Sequence, residues 1–145
     1  MLEKDYNVAA NVWSITSYKA LQNEAADVER WNMMHPDETP KVPYVTSCVA
    51  DMSGVFVAAS DYVKALPDSI ASWFPRPLLA LGTDGFGRSD SRAALRDFFE
   101  VDARYITLAA LHSLAREGEI PHEKVKQAMK DLHIDTDKPN PIMAG

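Results

Sequence analysis

An α/β architecture is predicted by three features of the sequence. Short apolar runs are rich in β-formers, longer stretches between them keep helical spacing, and glycine, proline or Ser/Asp residues punctuate the joins. Met1 to Tyr6 reads as the last turns of a helix, with no start signal before it. Val8 to Ile15, "VAANVWSI", reads as a first strand, with Val12, Trp13 and Ile15 supplying the β-formers. Thr16 or Ser17 can cap the helix that follows, in which Tyr18, Leu21, Ala25, Val28 and Trp31 share one face.

"HPDETPKVP", His35 to Pro43, holds three prolines and no apolar period, so it is a linker. Tyr44 to Asp51 suits helix or strand equally. Val55 to Ala59, "VFVAA", is apolar on both faces, as a strand in a covered parallel sheet would be, with Ser60 and Asp61 placed to cap a turn of helix after it. Pro67 suits the first position of a short helix reaching Trp73. Leu78 to Leu81 is a third strand. Helices then cover Asp90–Phe99 and Asp102–Glu117, the second stopped by Gly118, and Pro121 opens a last one to Leu132. "DTDKPNPIMAG" has nothing to hold a regular element, so residues 1–134 form the domain and 135–145 a tail.

At 145 residues the chain has the length of one domain, which can bury roughly 70% of its unfolded surface. A net charge of −6 argues against nucleic acid and against an anionic membrane surface. One cysteine, Cys48, excludes an internal disulfide framework and fits a reducing compartment. No apolar run approaches the ~20 residues of a membrane span, and "MLEKDYNVAANV" lacks the basic-then-apolar order of a signal peptide. The expected location is the cytoplasm.

Candidate chemistry concentrates in "LLALGTDGFGRSDSR", where an apolar run breaks at glycines and reopens as a helix. The spacing is G-x-x-G-x-G, neither the dinucleotide fingerprint nor a phosphate loop ending in Lys-Ser/Thr. Gly82, Asp84, Gly85, Gly87, Arg88 and Ser89 are the candidate anion or interface loop, to which Arg92 could add charge. A helix-end dipole contributes only ~0.3–1 kcal/mol, against about 4 kcal/mol for millimolar affinity. The plainer reading is a turn in which Gly85 and Gly87 take positive φ and Ser89 or Asp90 caps the helix.

Elsewhere the residues point to no catalytic group. His35, His112, His122 and His133 have no helical metal-pair spacing, although His35, beside Asp37 and Glu38, could serve as an acid/base. Cys48 has no base or basic neighbour in sequence and reads as a buried, inert thiol. Ser89, Asp90 and Ser91 do not make a nucleophile elbow, and Asp37, Glu38, Asp135 and Asp137 read as solvated.

"VERWNMMHP", "ETPKVPYV", "AASDYVKALPDSI", "LGTDGFGRSDSR" and "FFEVDARYI" resemble, in order, the C-terminal region of the homodimeric bacterial pyruvate dehydrogenase decarboxylating component. The resemblance runs from about Leu2 to Pro141. It implies a transketolase C-terminal-domain-like three-layer α/β/α sandwich with a mixed sheet, here lacking its first core strand and most of its first helix. In that fold the missing strand lies between the counterparts of Val8–Ile15 and Val55–Ala59. The family's enzyme decarboxylates pyruvate on thiamine diphosphate and magnesium and reductively acetylates lipoyl groups. Its diphosphate motif, Gly-Asp-Gly…Asn, is not in this sequence, so no cofactor is expected on this chain and no catalytic role transfers to His35. The implied partners are the remainder of the same enzyme chain, a second subunit in a homodimer, and the dihydrolipoyl acetyltransferase core. Two competing readings are an independent module gripping an anion with Gly82–Gly87 and Arg88, and a stand-alone remnant that binds the intact enzyme.

Overall fold

The structure is a computed structural model that describes residues 1–144. Helix α1 (Leu2–Tyr6) ends where Asn7 turns left-handed at φ 55° and returns its N–H to the Leu2 carbonyl. Helix α2 (Tyr18–Met34) starts at Ser17, whose hydroxyl accepts from the Ala20 N–H at 3.2 Å. That bond satisfies one of the donors every helix start leaves open. Ala25 on its inner face is fully buried with Val45 and Ile70, and Tyr18 and Leu21 pack around them.

The linker after α2 is tied down by Asn32, which donates to the Lys41 carbonyl at 2.9 Å and accepts from the Lys41 N–H at 2.8 Å. Residues 44–49, which suit helix or strand by sequence, form helix α3 (Tyr44–Val49). Its i, i+4 pair Val45 and Val49 is buried, and the Glu24 carboxylate accepts from the Tyr44 N–H at 3.0 Å.

Strands β1 (Phe56–Ala59) and β2 (Leu78–Leu81) pair in parallel, from Phe56 opposite Leu78 to Ala59 opposite Leu81. Between them run a one-turn helix α4 (Ala65–Asp68) and a 3-10 turn (Ala71–Trp73). After β2 come α5 (Arg92–Phe98), α6 (Ala103–Arg116) and α7 (His122–Asp131). The α6 helix contacts both strands and α7. Small buried residues on α6, among them Ala109, Ala110, Ser113 and Ala115, let these backbones approach closely. Leu111, Ala115, Val125, Ala128 and Leu132 make the α6–α7 core.

Four expectations need correction. Val8–Ile15 does not pair: residues 7–15 have no strand structure, Val12 is 95% exposed and Trp13 59%. β-Formers supply shape, but a strand persists only where a neighbour meets its backbone groups. Ser60 and Asp61 cap no helix: the Ser60 hydroxyl accepts from the Tyr62 N–H at 3.1 Å, and α4 begins later, at Ala65. Pro67 is the third residue of α4, where its missing N–H is still costless because first-turn donors have no intrahelical partner. The tail carries one 3-10 turn (Pro141–Met143), held because the Asn140 side chain accepts from the Ile142 N–H at 3.1 Å. Lys138 anchors the segment before it, donating to the Asp97 carbonyl at 2.6 Å beside Glu100.

Candidate functional site

The loop from β2 to α5 is sewn to the segment leaving β1. Thr83 donates its N–H to the Tyr62 carbonyl at 2.9 Å and its hydroxyl to the Asp61 carbonyl at 3.1 Å. Asp84 accepts from the Lys64 N–H at 3.0 Å and lies 3.9 Å from the Lys64 ammonium. Gly82 sits at this seam: a Cβ there would meet the Tyr62 carbonyl oxygen at 2.5 Å and the Lys64 nitrogen at 2.9 Å. The first glycine of the loop is thus required by close backbone approach, which spacing alone does not show.

Gly85 takes φ 100°, as expected, and a Cβ on it would stand 3.3 Å from the Ile142 Cα of the tail. Gly87 does not take positive φ and has open space where a Cβ would go, because the chain has already turned at Gly85. Nor do Ser89 or Asp90 cap α5. Ser91 does, accepting from the Ala94 N–H at 3.3 Å, while Asp90 accepts from the Ser91 N–H at 2.6 Å.

Loop and α5 border an open cavity of about 440 Å³. Arg96 closes one side by reaching Asp61 with two bonds, Nε to Oδ1 at 3.1 Å and Nη2 to Oδ2 at 2.6 Å. The Arg96 hydrogen bond, and then the charges of Arg96 and Arg92, hold the Asp61 carboxyl below the usual carboxylate range. Arg88 lies over the Phe98 ring, 4.1 Å from its centroid. The ring gives the guanidinium a cation–π partner. Asp61 and Arg96 are site residues that sequence reading missed, since they are far apart in sequence and meet only because the segment leaving β1 faces α5.

A second polar cluster shapes the far end of α5. Asp102 caps α6, accepting from the Arg104 and Tyr105 N–H groups at 2.8 and 3.2 Å, and the Arg104 guanidinium bridges Asp102 and Asp97. Burial first, and then the charges of Glu100 and Asp97, push the Tyr105 phenol up to about 12.

The remaining candidates stay dispersed. His35 donates Nδ1–H to the Trp31 carbonyl at 2.8 Å and stacks on the Trp31 ring at 4.3 Å, so it is locally satisfied. His112 and His122 are exposed, and His133 turns the chain after α7 at φ 52°. Cys48 is half-buried, not buried as expected, because it lies on the outer flank of a one-and-a-half-turn helix. Among the described residues no group of three or more His, Cys, Asp and Glu side chains could hold a metal ion. No described helix is long and apolar enough to cross a membrane.

A parallel strand pair, covered by a helix and linked by a glycine turn to the next one, defines an α/β domain of a recognisable kind. The chain belongs to the transketolase-like TK C-terminal domain family, whose sequence profile matches residues 1–102. Within that family it is similar to the pyruvate dehydrogenase E1 component of Cupriavidus necator, 46% identical over 142 residues, covering 98% of this chain and 16% of that protein. The E1 component of Escherichia coli K12 is 47% identical over 145 residues, covering 99% of this chain and 16% of the relative. That of Pseudomonas aeruginosa is 43% identical over 143 residues, covering 98% and 16%. The matched part is the C-terminal portion of these proteins, and the chain spans about 16% of their length.

Proposed function

We propose that this chain serves as a non-catalytic assembly domain of a pyruvate dehydrogenase E1 component. In this reading the whole enzyme decarboxylates pyruvate on thiamine diphosphate, passes the acetyl unit to lipoyl groups of the acetyltransferase core, and works as a homodimer. The observation that carries it is identity above 40% across 98% of the chain to E1 components. Two structural features support it. The apolar arm at residues 9–15 is solvent-exposed, and the parallel sheet has only two strands among the described residues. Parallel strands are normally buried within larger sheets, so both features fit a surface completed by the rest of the enzyme.

The residues of this chain do not suit thiamine diphosphate or its magnesium. Asp84, the acid in its glycine loop, is committed to the Lys64 N–H and ammonium. The cofactor then belongs to other domains of the enzyme. The tail from Asp135 onward is proposed to be an appendage clasped to the domain of residues 1–134 through Lys138.

The test is complementation. An E1 component deleted for the region matching this chain is mixed with the 145-residue chain, and amide hydrogen exchange is followed at residues 8–15. The expected result is a complex in which those amides exchange at least about tenfold more slowly than in the chain alone. Absence of a complex, or equal protection in the isolated chain, contradicts the assembly reading. A micromolar thiamine diphosphate isotherm for the chain with magnesium contradicts its non-catalytic character.

A further inference from the structure

Three of the seven arginines in the sequence line the cavity beside the glycine loop, in a chain whose net charge is −6. Their situations differ. Arg96 is spent on Asp61, to which it makes two hydrogen bonds. Arg88 and Arg92 are exposed and have no ion pair within 4.0 Å among the described residues. Arg88 lies 4.1 Å from the Phe98 ring centroid, a cation–π contact that restrains the side chain while its N–H donors make no hydrogen bond among the described residues.

The two acids of the cavity cancel only part of the arginine charge. Asp61 is matched by Arg96, and Asp90 has one oxygen engaged by the Ser91 N–H at 2.6 Å. One net positive charge remains on the lining. Apolar surface stands next to it: Phe86, 77% exposed, and Phe99 both line the cavity.

We propose that this cavity binds a phosphate dianion between Arg88 and Arg92. Three terminal oxygens can accept from two planar guanidinium forks at once, which a single carboxylate with two oxygens matches less well. A volume of about 440 Å³ exceeds what inorganic phosphate needs and leaves room for an attached group against Phe86 and Phe99. The ligand is therefore either free phosphate or the phosphate of a monoester. This site is separate from the assembly role and stands or falls without it.

The experiment titrates the 15N-labelled 145-residue chain with inorganic phosphate, phenyl phosphate and acetate at constant ionic strength, reading the arginine Nε–Hε resonances. Saturable shifts at Arg88 and Arg92, with none at Arg116 on α6, are expected for both phosphates, and acetate is expected to bind at least about tenfold more weakly. Phenyl phosphate binding tighter than inorganic phosphate identifies a monoester, and equal affinity identifies free phosphate. Arg88→Gln and Arg92→Gln should each weaken binding about tenfold, and Arg116→Gln should leave it unchanged. Arg88→Lys and Arg92→Lys keep the charge without the fork and are expected to retain an intermediate affinity. Non-saturating shifts, an equal loss in Arg116→Gln, or unchanged affinity in the Gln variants overturns the proposal. If a Gln variant fails to fold, its Lys counterpart decides: wild-type affinity there overturns the proposal.

Discussion

Replacing Gly82 with alanine should be the most damaging single-methyl change in the glycine loop. The new Cβ would sit 2.5 Å from the Tyr62 carbonyl oxygen, 2.9 Å from the Lys64 nitrogen and 3.0 Å from the Lys64 Cγ. Two of these are backbone atoms, which cannot swing aside as a side chain can. Relief requires the loop to part from the 61–64 segment, and three hydrogen bonds cross that seam: Thr83 N–H to Tyr62 at 2.9 Å, Thr83 hydroxyl to Asp61 at 3.1 Å, and Lys64 N–H to Asp84 at 3.0 Å. Overpacking costs about 1–3 kcal/mol, and weakening two of these bonds adds about 1 kcal/mol each. A loss of about 3–5 kcal/mol is a large share of a typical ~5–15 kcal/mol stability. At ~2–4 °C per kcal/mol it lowers the melting temperature by roughly 6–20 °C. Gly87→Ala is the internal control: with ordinary φ and nothing within 4 Å of a Cβ, it should change stability by less than about 0.5 kcal/mol. Gly85→Ala should fall between them, near 1–2 kcal/mol, because a Cβ at positive φ is disfavoured by about that much. The assay is thermal unfolding by circular dichroism, each variant beside the parent. A Gly82→Ala protein that melts like the parent, or one less affected than Gly87→Ala, would refute the reasoning.

Removing the α2 cap with Ser17→Ala should lower stability by about 1 kcal/mol, read from the urea midpoint at unchanged slope. Tyr105 has a folded-state pKa raised from 10.0 to about 12, so the stability its neutral phenol contributes is complete below about pH 10 and lost as pH rises through 12. Tyr105→Phe should remove that alkaline slope, and an equally steep decline above pH 10 in the variant would show the slope belongs to other groups.

Local chemistry made several elements legible from sequence. Ser17 before a helical apolar face, Asp102 before another, and the run "LLAL" each became the expected structure because capping and burial act within a few residues. The glycine loop was recognisable as a strand-to-helix turn for the same reason. Its internal assignments were less secure. Spacing marks Gly85 and Gly87 alike, but only Gly85 turns left-handed, and Ser91 rather than Ser89 or Asp90 caps the helix. Several capping residues in succession each satisfy the local rule, and the packed helix selects one.

By itself, then, the sequence determined where helices α2, α5, α6 and α7 and the paired strands β1 and β2 lie, to within a residue or two at their ends, since propensity, period and caps are written in neighbouring residues. Tertiary structure decided the rest. Val8–Ile15 has a strand's composition and no strand, because a ladder needs a partner that no local rule supplies. Gly82 matters because two chain segments 20 residues apart touch there, Asp61 because Arg96 reaches it, and Arg88 because Phe98 lies beneath it. Each is a contact across the fold, and contacts of that kind come into being only when the chain is packed.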